Sequence, residues 1–342
     1  MSVEMPIELV KKQHAKYFQR FLHMVPGQLA SFDFTRLMFA FFAISGLDML
    51  DALDDLSPDR KIEAIEWIYR LQIEDAGPRS GFQSSTTLPK EVAEYQCGHL
   101  AMTYTGLATL LVLGDDLRRV NRKSIIEGIQ ACQNPDGSFT AVVAGYESDM
   151  RFLYCACCVS AILDDWSGIN KPAAINYIVQ SISYDGGIGQ GPGLESHGGS
   201  TFCAVASLFL MNELDNILCN ERLNRLRYWC LMRQDDGFHG RPGKPSDTCY
   251  SFWIGATLRL LGVGELSDSE KNRTFLLDTQ DTSTGGFSKF KFAEPDPMHT
   301  YLGLCGLSLI GEPGLQEMYA ALNISQRAYA QLRDIHKRWR NE

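Results

Sequence analysis

The sequence has no run of about 18 uncharged apolar residues, so no integral membrane segment is expected. Its opening residues, Met-Ser-Val-Glu-Met-Pro, lack a basic stretch followed by an apolar one, so no export signal is expected either. Positive charge is in short supply: 32 Lys and Arg against 41 Asp and Glu leave a net charge of −9. That balance argues against nucleic acid as the main partner and favours a cationic partner or peptide. Sustained apolar–polar alternation is also missing, so strands do not organise the fold. The ten cysteines, without an export signal, read as free thiols of a cytoplasmic protein. Three of them, Cys155, Cys157 and Cys158, lie in the apolar helical run "RFLYCACCVSAIL" and read as small core residues.

What is present is repetition. At 342 residues and 45% hydrophobic content the chain can bury a large core. Gly81-Phe82, Gly137-Ser-Phe139, Gly187-Ile188, Gly237-Phe238 and Gly286-Phe287 recur at steps of 56, 50, 50 and 49 residues. Several follow a helix ending in glutamine, at Gln72, Gln133, Gln234 and Gln280. After each glycine comes a loop, then a helix apolar nearly all round, such as "HLAMTYTGLATLLVLG" or "HTYLGLCGLSLI". Each unit is therefore a helical hairpin with an amphipathic outer helix and a buried inner one. With the N-terminal pair "KKQHAKYFQRFLHMV" and "FTRLMFAFFAISGLDML" there are about six hairpins. No capping repeat is obvious, so the expectation is a closed all-α toroid: one α/α-barrel domain over residues 1–342 rather than an open solenoid.

Each inner helix is predicted to start on a polar residue: His99, Asp149, His197, Asp247 and His299, at steps of 48 to 52. Aspartate is a favoured helix cap. Histidine is a poor one, yet three of the seven histidines stand in this register. In a closed ring all five residues share one rim. Asp247, Cys249 and His299 then form a carboxylate, thiolate and imidazole set. Three protein ligands with a fourth position open is the pattern of catalytic zinc. Arg241, Lys244 and Lys289 share this rim, with Tyr250 as a hydroxyl donor and Gly198-Gly199 after His197, where a ligand can approach backbone. Together they suit an anion clamp for a diphosphate, above aromatics (Tyr154, Phe252, Trp253) that suit a long hydrocarbon. "DMLDALDD" (Asp48 to Asp55) has an aspartate-rich look, but its order and spacing do not suit magnesium binding, and it reads as a solvated helix end.

The motifs "FAFFAISGLDML", "GHLAMTYTGL", "DMRFLYCA", "GLESHGGSTFC", "HGRPGKPSDTCYSFW" and "TQDTSTGGF" resemble those of protein prenyltransferase β subunits, most closely the type I geranylgeranyl branch. The resemblance runs from about residue 14 to 338. It implies an α/α barrel that works only as a heterodimer with a helical-repeat α subunit. The implied reaction moves geranylgeranyl from its diphosphate to the cysteine of Cys-a-a-Leu or Cys-a-a-Phe termini, of proteins such as small GTPases. It puts zinc on Asp247, Cys249 and His299, and diphosphate on His197, Arg241, Lys244 and Tyr250. Gly198, Gly199, Cys203, Tyr154 and Trp253 fall near the isoprenoid; His99, Glu147 and Arg151 fall near the peptide carboxylate; Met102 and Met298 fall near the X side chain. Lys289 replaces the aspartate that helps hold magnesium in the farnesyl branch, so magnesium is not expected. Met38 stands where a tryptophan shortens the farnesyl pocket and where the geranylgeranyl branch is usually small. The alternatives are a Rab-type geranylgeranyltransferase β subunit, a triterpene-cyclase-like barrel (whose acidic protonation motif is missing here) and a non-catalytic helical-repeat scaffold.

Overall fold

The computed structural model describes residues 8–23, 35–74, 76–85 and 96–341. The six hairpins form as the repeat predicts. The outer helices are α1 (Lys11–His23), α3 (Pro58–Tyr69), α5 (Arg122–Ala131), α7 (Lys171–Gln180), α10 (Asn220–Leu231) and α12 (Ser269–Asp278). The inner helices are α2 (Arg36–Met49), α4 (Leu100–Leu113), α6 (Met150–Leu163), α8 (Gly198–Leu210), α11 (Tyr250–Leu260) and α13 (Pro297–Leu309). A short α9 (Leu214–Ile217) bridges α8 and α10, and α14 (Gln326–Trp339) ends the chain. Inner helices pack in chain order, and α13 packs back against α2, which closes the ring.

Apolarity sorts the two layers. Every residue of α4 except Ala101 is buried, whereas α12 buries only Asn272, Leu276 and Leu277. The apolar residue one or two positions after each repeat glycine (Phe82, Phe139, Ile188, Phe238, Phe287) is also buried, each contributing about 1.5–3 kcal/mol. Cys155, Cys157 and Cys158 are buried core residues, as expected.

The recurrent glutamines have a definite task. Gln72 Oε1 accepts from Asn121 N–H (3.0 Å), and its amide donates to Arg119 O (3.2 Å). Gln133 takes Asn170 N–H (2.7 Å) and donates to Asn170 O (3.1 Å). Gln234 does the same at Asp268, at 2.8 and 2.7 Å. Each glutamine thereby fastens its repeat to the chain entering the next outer helix. The fourth closes the circle: Gln280 accepts from Val10 N–H (3.2 Å) and donates to Glu8 O (2.9 Å). Ile182 stands in the equivalent bridge in the remaining repeat.

One end of the ring is stoppered by residues 318–325. Three buried tyrosine hydroxyls donate to consecutive carbonyls there: Tyr154 to Ala321 (3.1 Å), Tyr104 to Leu322 (2.8 Å) and Tyr301 to Asn323 (2.8 Å). Helix α14 lies across this end, with Gln331 donating to Asp115 O (2.8 Å). In the "DMLDALDD" stretch Asp51, Asp54 and Asp55 are exposed, as a solvated helix end should be, and the reading fails at Asp48. Asp48 is 2% exposed and is no solvated helix end. It accepts from Ser325 Oγ and from Arg327 Nε (2.8 Å), tying α2 to the stopper. Burial of that charge is offset by the guanidinium.

Candidate active site

The open end is built by one backbone register repeated around the ring. Leu100 N–H donates to Ala141 O (2.8 Å), Met150 to Gln190 (3.0 Å), Gly198 to Gly240 (2.9 Å) and Thr248 to Lys289 (2.9 Å). Four of the inner helices thus start against the loop of the following repeat, which brings the predicted rim residues into neighbouring positions.

Asp247 stands ahead of α11, whose cap is Cys249 and whose first residue is Tyr250, and two further expectations about that rim are corrected. Histidine does serve as a cap: His99 Nδ1 accepts from Ala101 N–H (3.2 Å), and His197 Nδ1 from Gly199 N–H (3.1 Å). A neutral imidazole can do this with its unprotonated nitrogen, and burial holds both rings below the usual histidine range, helped at His197 by Arg241 and Arg151. Second, His299 does not start its helix. Asp296 caps α13, Pro297 is its first residue, and His299 N–H donates to Asp296 (3.0 Å). The cap and the proline fix the start two residues earlier than the register suggests.

Asp247, Cys249 and His299, all buried, each offer a ligand atom within 4.8 Å of the others. The side chain of Asp247 accepts from Cys249 N–H (3.0 Å), so the carboxylate is held over the entrance to α11. Asp296, missed in the sequence, accepts from His299 Nδ1–H, leaving Nε2 turned toward Asp247 at 3.2 Å. A carboxylate behind a histidine is how metal-binding imidazoles are usually oriented. Burial pushes the His299 ring down, but the bonds to Asp247 and Asp296 outweigh it and carry the group to about 9. Burial, followed by Asp247, pushes the Cys249 thiol well up. Burial raises Asp247, and the bonds from His299 and Cys249 overcome it and bring the carboxyl below its usual value. The donor set fits zinc: one thiol, one imidazole, one carboxylate and a carboxylate-backed tautomer.

The cations stand beside the triad. Arg241, Lys244, Tyr250 and Lys289 line one pocket with Asp247, and Lys289 Nζ is 3.6 Å from the Asp247 carboxylate. Arg241 pairs with Glu195 (2.9 Å) at the outer edge. His197 reaches this pocket through Tyr250, with Nε2 2.8 Å from the hydroxyl oxygen. Because Nδ1 accepts from Gly199, a neutral ring carries its proton on Nε2 and donates to Tyr250. The tyrosine O–H then remains a donor toward the pocket. At Gly198 the close approach that the sequence suggests includes the protein's own α11. A Cβ there would meet Ile254 at 2.9 Å and the Tyr250 ring at 3.0 Å, so its closeness is used by α11.

Aromatic rings of neighbouring inner helices form a continuous cluster. Phe202 lies 5.2 Å from Tyr154 and 5.3 Å from Trp253, centroid to centroid, and Tyr104 lies 5.8 Å from Tyr154. Cys203 is buried on α8, and Met38 is half-buried on α2 against the core. The remaining rim residues sit at the starts of α4, α6 and α13. Arg151 bonds to Asp149 and Glu147, Met102 is buried, and Met298 is partly buried. No helix among the described residues is long and apolar enough to cross a membrane.

Residues 9–324 match the prenyltransferase alpha-alpha toroid domain. The chain is 40% identical to the geranylgeranyl transferase type-1 subunit beta of Arabidopsis thaliana, over 92% of this chain and 88% of that one. It is 37% identical to the subunit of the same name from Dictyostelium discoideum, over 92% and 94%. The solved Candida albicans protein geranylgeranyltransferase-I complexed with GGPP superposes with a TM-score of 0.89 at 28% identity, covering 96% of this chain and 99% of that one. A closed ring of six hairpins with a buried Asp-Cys-His set at its open end, and these likenesses over nearly its whole length, place the chain in the prenyltransferase alpha-alpha toroid family, as an enzyme of prenyl transfer similar to type-1 geranylgeranyl transferase β subunits.

Proposed function

We propose that the chain, one toroidal domain over residues 1–342, is the catalytic β subunit of a cytoplasmic heterodimeric protein geranylgeranyltransferase type I. It transfers geranylgeranyl from geranylgeranyl diphosphate to the cysteine of C-terminal Cys-a-a-Leu or Cys-a-a-Phe motifs. The observation that carries this reading is the juxtaposition of the Asp247–Cys249–His299 set with the Arg241, Lys244, Tyr250 and Lys289 pocket, above a continuous aromatic wall. A helical-repeat α subunit is the partner, zinc the cofactor, and magnesium is not required.

A bound zinc ion supplies a Lewis-acidic position that makes an incoming thiol a thiolate at neutral pH. The chain's own residues then do three things. Asp296 holds the His299 ring with Nε2 facing inward. Arg241, Lys244 and Lys289, with the O–H that His197 frees on Tyr250, stabilise charge growing on a departing diphosphate. Tyr154, Cys203, Trp253 and Met38 line the path for the hydrocarbon, with Gly198 and Gly199 at its upper end; the stopper closes its far end. Cys249 acts as a ligand and does not turn over. His99, Glu147, Arg151, Met102 and Met298 are assigned to the peptide.

The test is co-expression with an α subunit, then comparison of farnesyl and geranylgeranyl diphosphate on Cys-a-a-Leu and Cys-a-a-Ser peptides. Geranylgeranyl transfer to Cys-a-a-Leu is expected. Cys249→Ala is expected to lose stoichiometric zinc and peptide transfer while still binding the diphosphate. Full turnover of that variant without zinc would sink the assignment, and transfer only to proteins ending in paired cysteines would favour the Rab-type reading.

A further inference from the structure

The outer layer has one seam, where α1 meets the segment after α12, and it is bonded densely. Gly286 N–H donates to His14 Nδ1 at 2.9 Å, and His14 Nε2 faces Gln280 Oε1 at 3.2 Å. The His14 ring, 0% exposed, stacks on Phe287 at 4.6 Å. Arg20 donates to Thr284 O (2.8 Å), and Tyr17 O–H donates to Pro295 O (3.0 Å). The approach leaves no slack: a Cβ on Gly285 would lie 2.2 Å from Gln13 O.

All of these partners lie between residues 280 and 295, and the same segment serves the triad. Phe287 pairs with Asp296 and Ser288 with Pro295 in an antiparallel ribbon. Asp296 takes both the backbone N–H and the Nδ1–H of His299. Lys289 O accepts from Thr248 N–H, which lies between Asp247 and Cys249. Tyr17 therefore grips the peptide unit leading into Asp296, and His14 grips the opposite strand of that ribbon. Prolines at 295 and 297 stiffen the backbone on both sides of Asp296, so what remains free is the placement of the ribbon as a whole.

We propose that Tyr17 and His14 are positioning residues for the metal triad: α1, reaching across the seam, sets the ribbon that aims Asp296 at His299. This rests on the zinc reading of Asp247, Cys249 and His299. A purely structural role for α1 would close the ring without tuning the metal. The two are separated by zinc dissociation constants, measured by chelator competition on the purified heterodimer carrying Tyr17→Phe, Asp296→Asn or both, with melting temperature recorded alongside. Asp296→Asn is expected to weaken zinc by about 10–100-fold, as loss of an orienting carboxylate does. Tyr17→Phe is expected to weaken it by about threefold in the wild-type background and to add almost nothing once Asp296 is asparagine, because the route through Asp296 is already cut. The visible band of the cobalt-substituted enzyme should shift in Tyr17→Phe. A Tyr17→Phe enzyme with lowered melting temperature but unchanged zinc affinity, or one whose factor is the same in both backgrounds, overturns the proposal. A wild-type enzyme that holds no zinc overturns the metal reading beneath it, so the two failures are distinct. His14→Gln, which keeps an acceptor for Gly286, provides the second arm; its zinc affinity should fall in the same direction, and an unchanged affinity again counts against the proposal.

Discussion

Once stripped of metal, the triad should bind zinc with a steep and definite dependence on pH. Cys249 is protonated across the neutral range because burial and Asp247 oppose its thiolate. His299 is protonated there too, its proton held to about 9 by the two carboxylates that touch it. Asp247 is already ionised. Metal binding needs all three donors deprotonated, so it releases two protons. Raising the pH removes that competition, and affinity rises. Between about pH 6.5 and 8.5 the apparent zinc affinity should climb by about 100-fold per pH unit, or about 2.7 kcal/mol. Chelator competition at four pH values, corrected for the chelator's own protonation, gives the slope of log affinity against pH. Calorimetry in two buffers of different ionisation enthalpy counts the protons independently. A slope near two is expected. A slope near one would mean that one donor is already bare in the empty protein, which would refute the account of how Asp247 and Asp296 hold His299.

Three further outcomes follow from other groups. Lys289→Asp should make transfer depend on added magnesium, because a carboxylate replaces the fixed ammonium in the pocket shared with Arg241 and Lys244; an unchanged, magnesium-independent rate refutes that charge substitution. His14 is buried neutral, with burial lowering it from 6.5 to about 4, so the unfolded chain takes up a proton that the folded one refuses. Stability should therefore fall as pH drops from 6.5 through 4, by up to about 3 kcal/mol, and urea unfolding of His14→Gln should show a flatter acid limb than wild type; superimposable limbs would count against it. Tyr301→Phe strands the Asn323 carbonyl at the closed end and should cost about 1–3 kcal/mol in urea unfolding, with no loss meaning that the hydroxyl does not hold the stopper.

The hairpins were legible because a period of about 50 residues repeats both a burial pattern and a glycine–aromatic step. The Asp-Cys-His set was legible for the same reason: Asp247 and His299 stand about one repeat apart, so a ring brings them together. Partners that lie far off in sequence without any period were not legible. The glutamines announced themselves by position, but nothing local says that Gln72 grips the backbone at Asn121. Asp48 showed its charge and hid its burial, because the guanidinium that compensates it belongs to Arg327. Asp296 escaped because the helix start was placed at His299, and a residue thought to lie outside a helix is not examined as its cap. The stopper carries no pattern of its own, since the three tyrosine hydroxyls that hold it bond to backbone carbonyls, which every residue has.

The glutamine fastenings have a bearing on how such a chain can vary. In an open stack the last repeat would end on a loose glutamine, and a hairpin could be added or lost at that end with only local effect. Here the last glutamine is already spent on Glu8 and Val10. Each hairpin takes roughly 60° of a full turn, so adding one would re-angle every interface at once. The count of repeats is thus locked by arithmetic, and change is channelled into the connections at the open mouth, where residues such as Arg241, Lys244 and Lys289 sit.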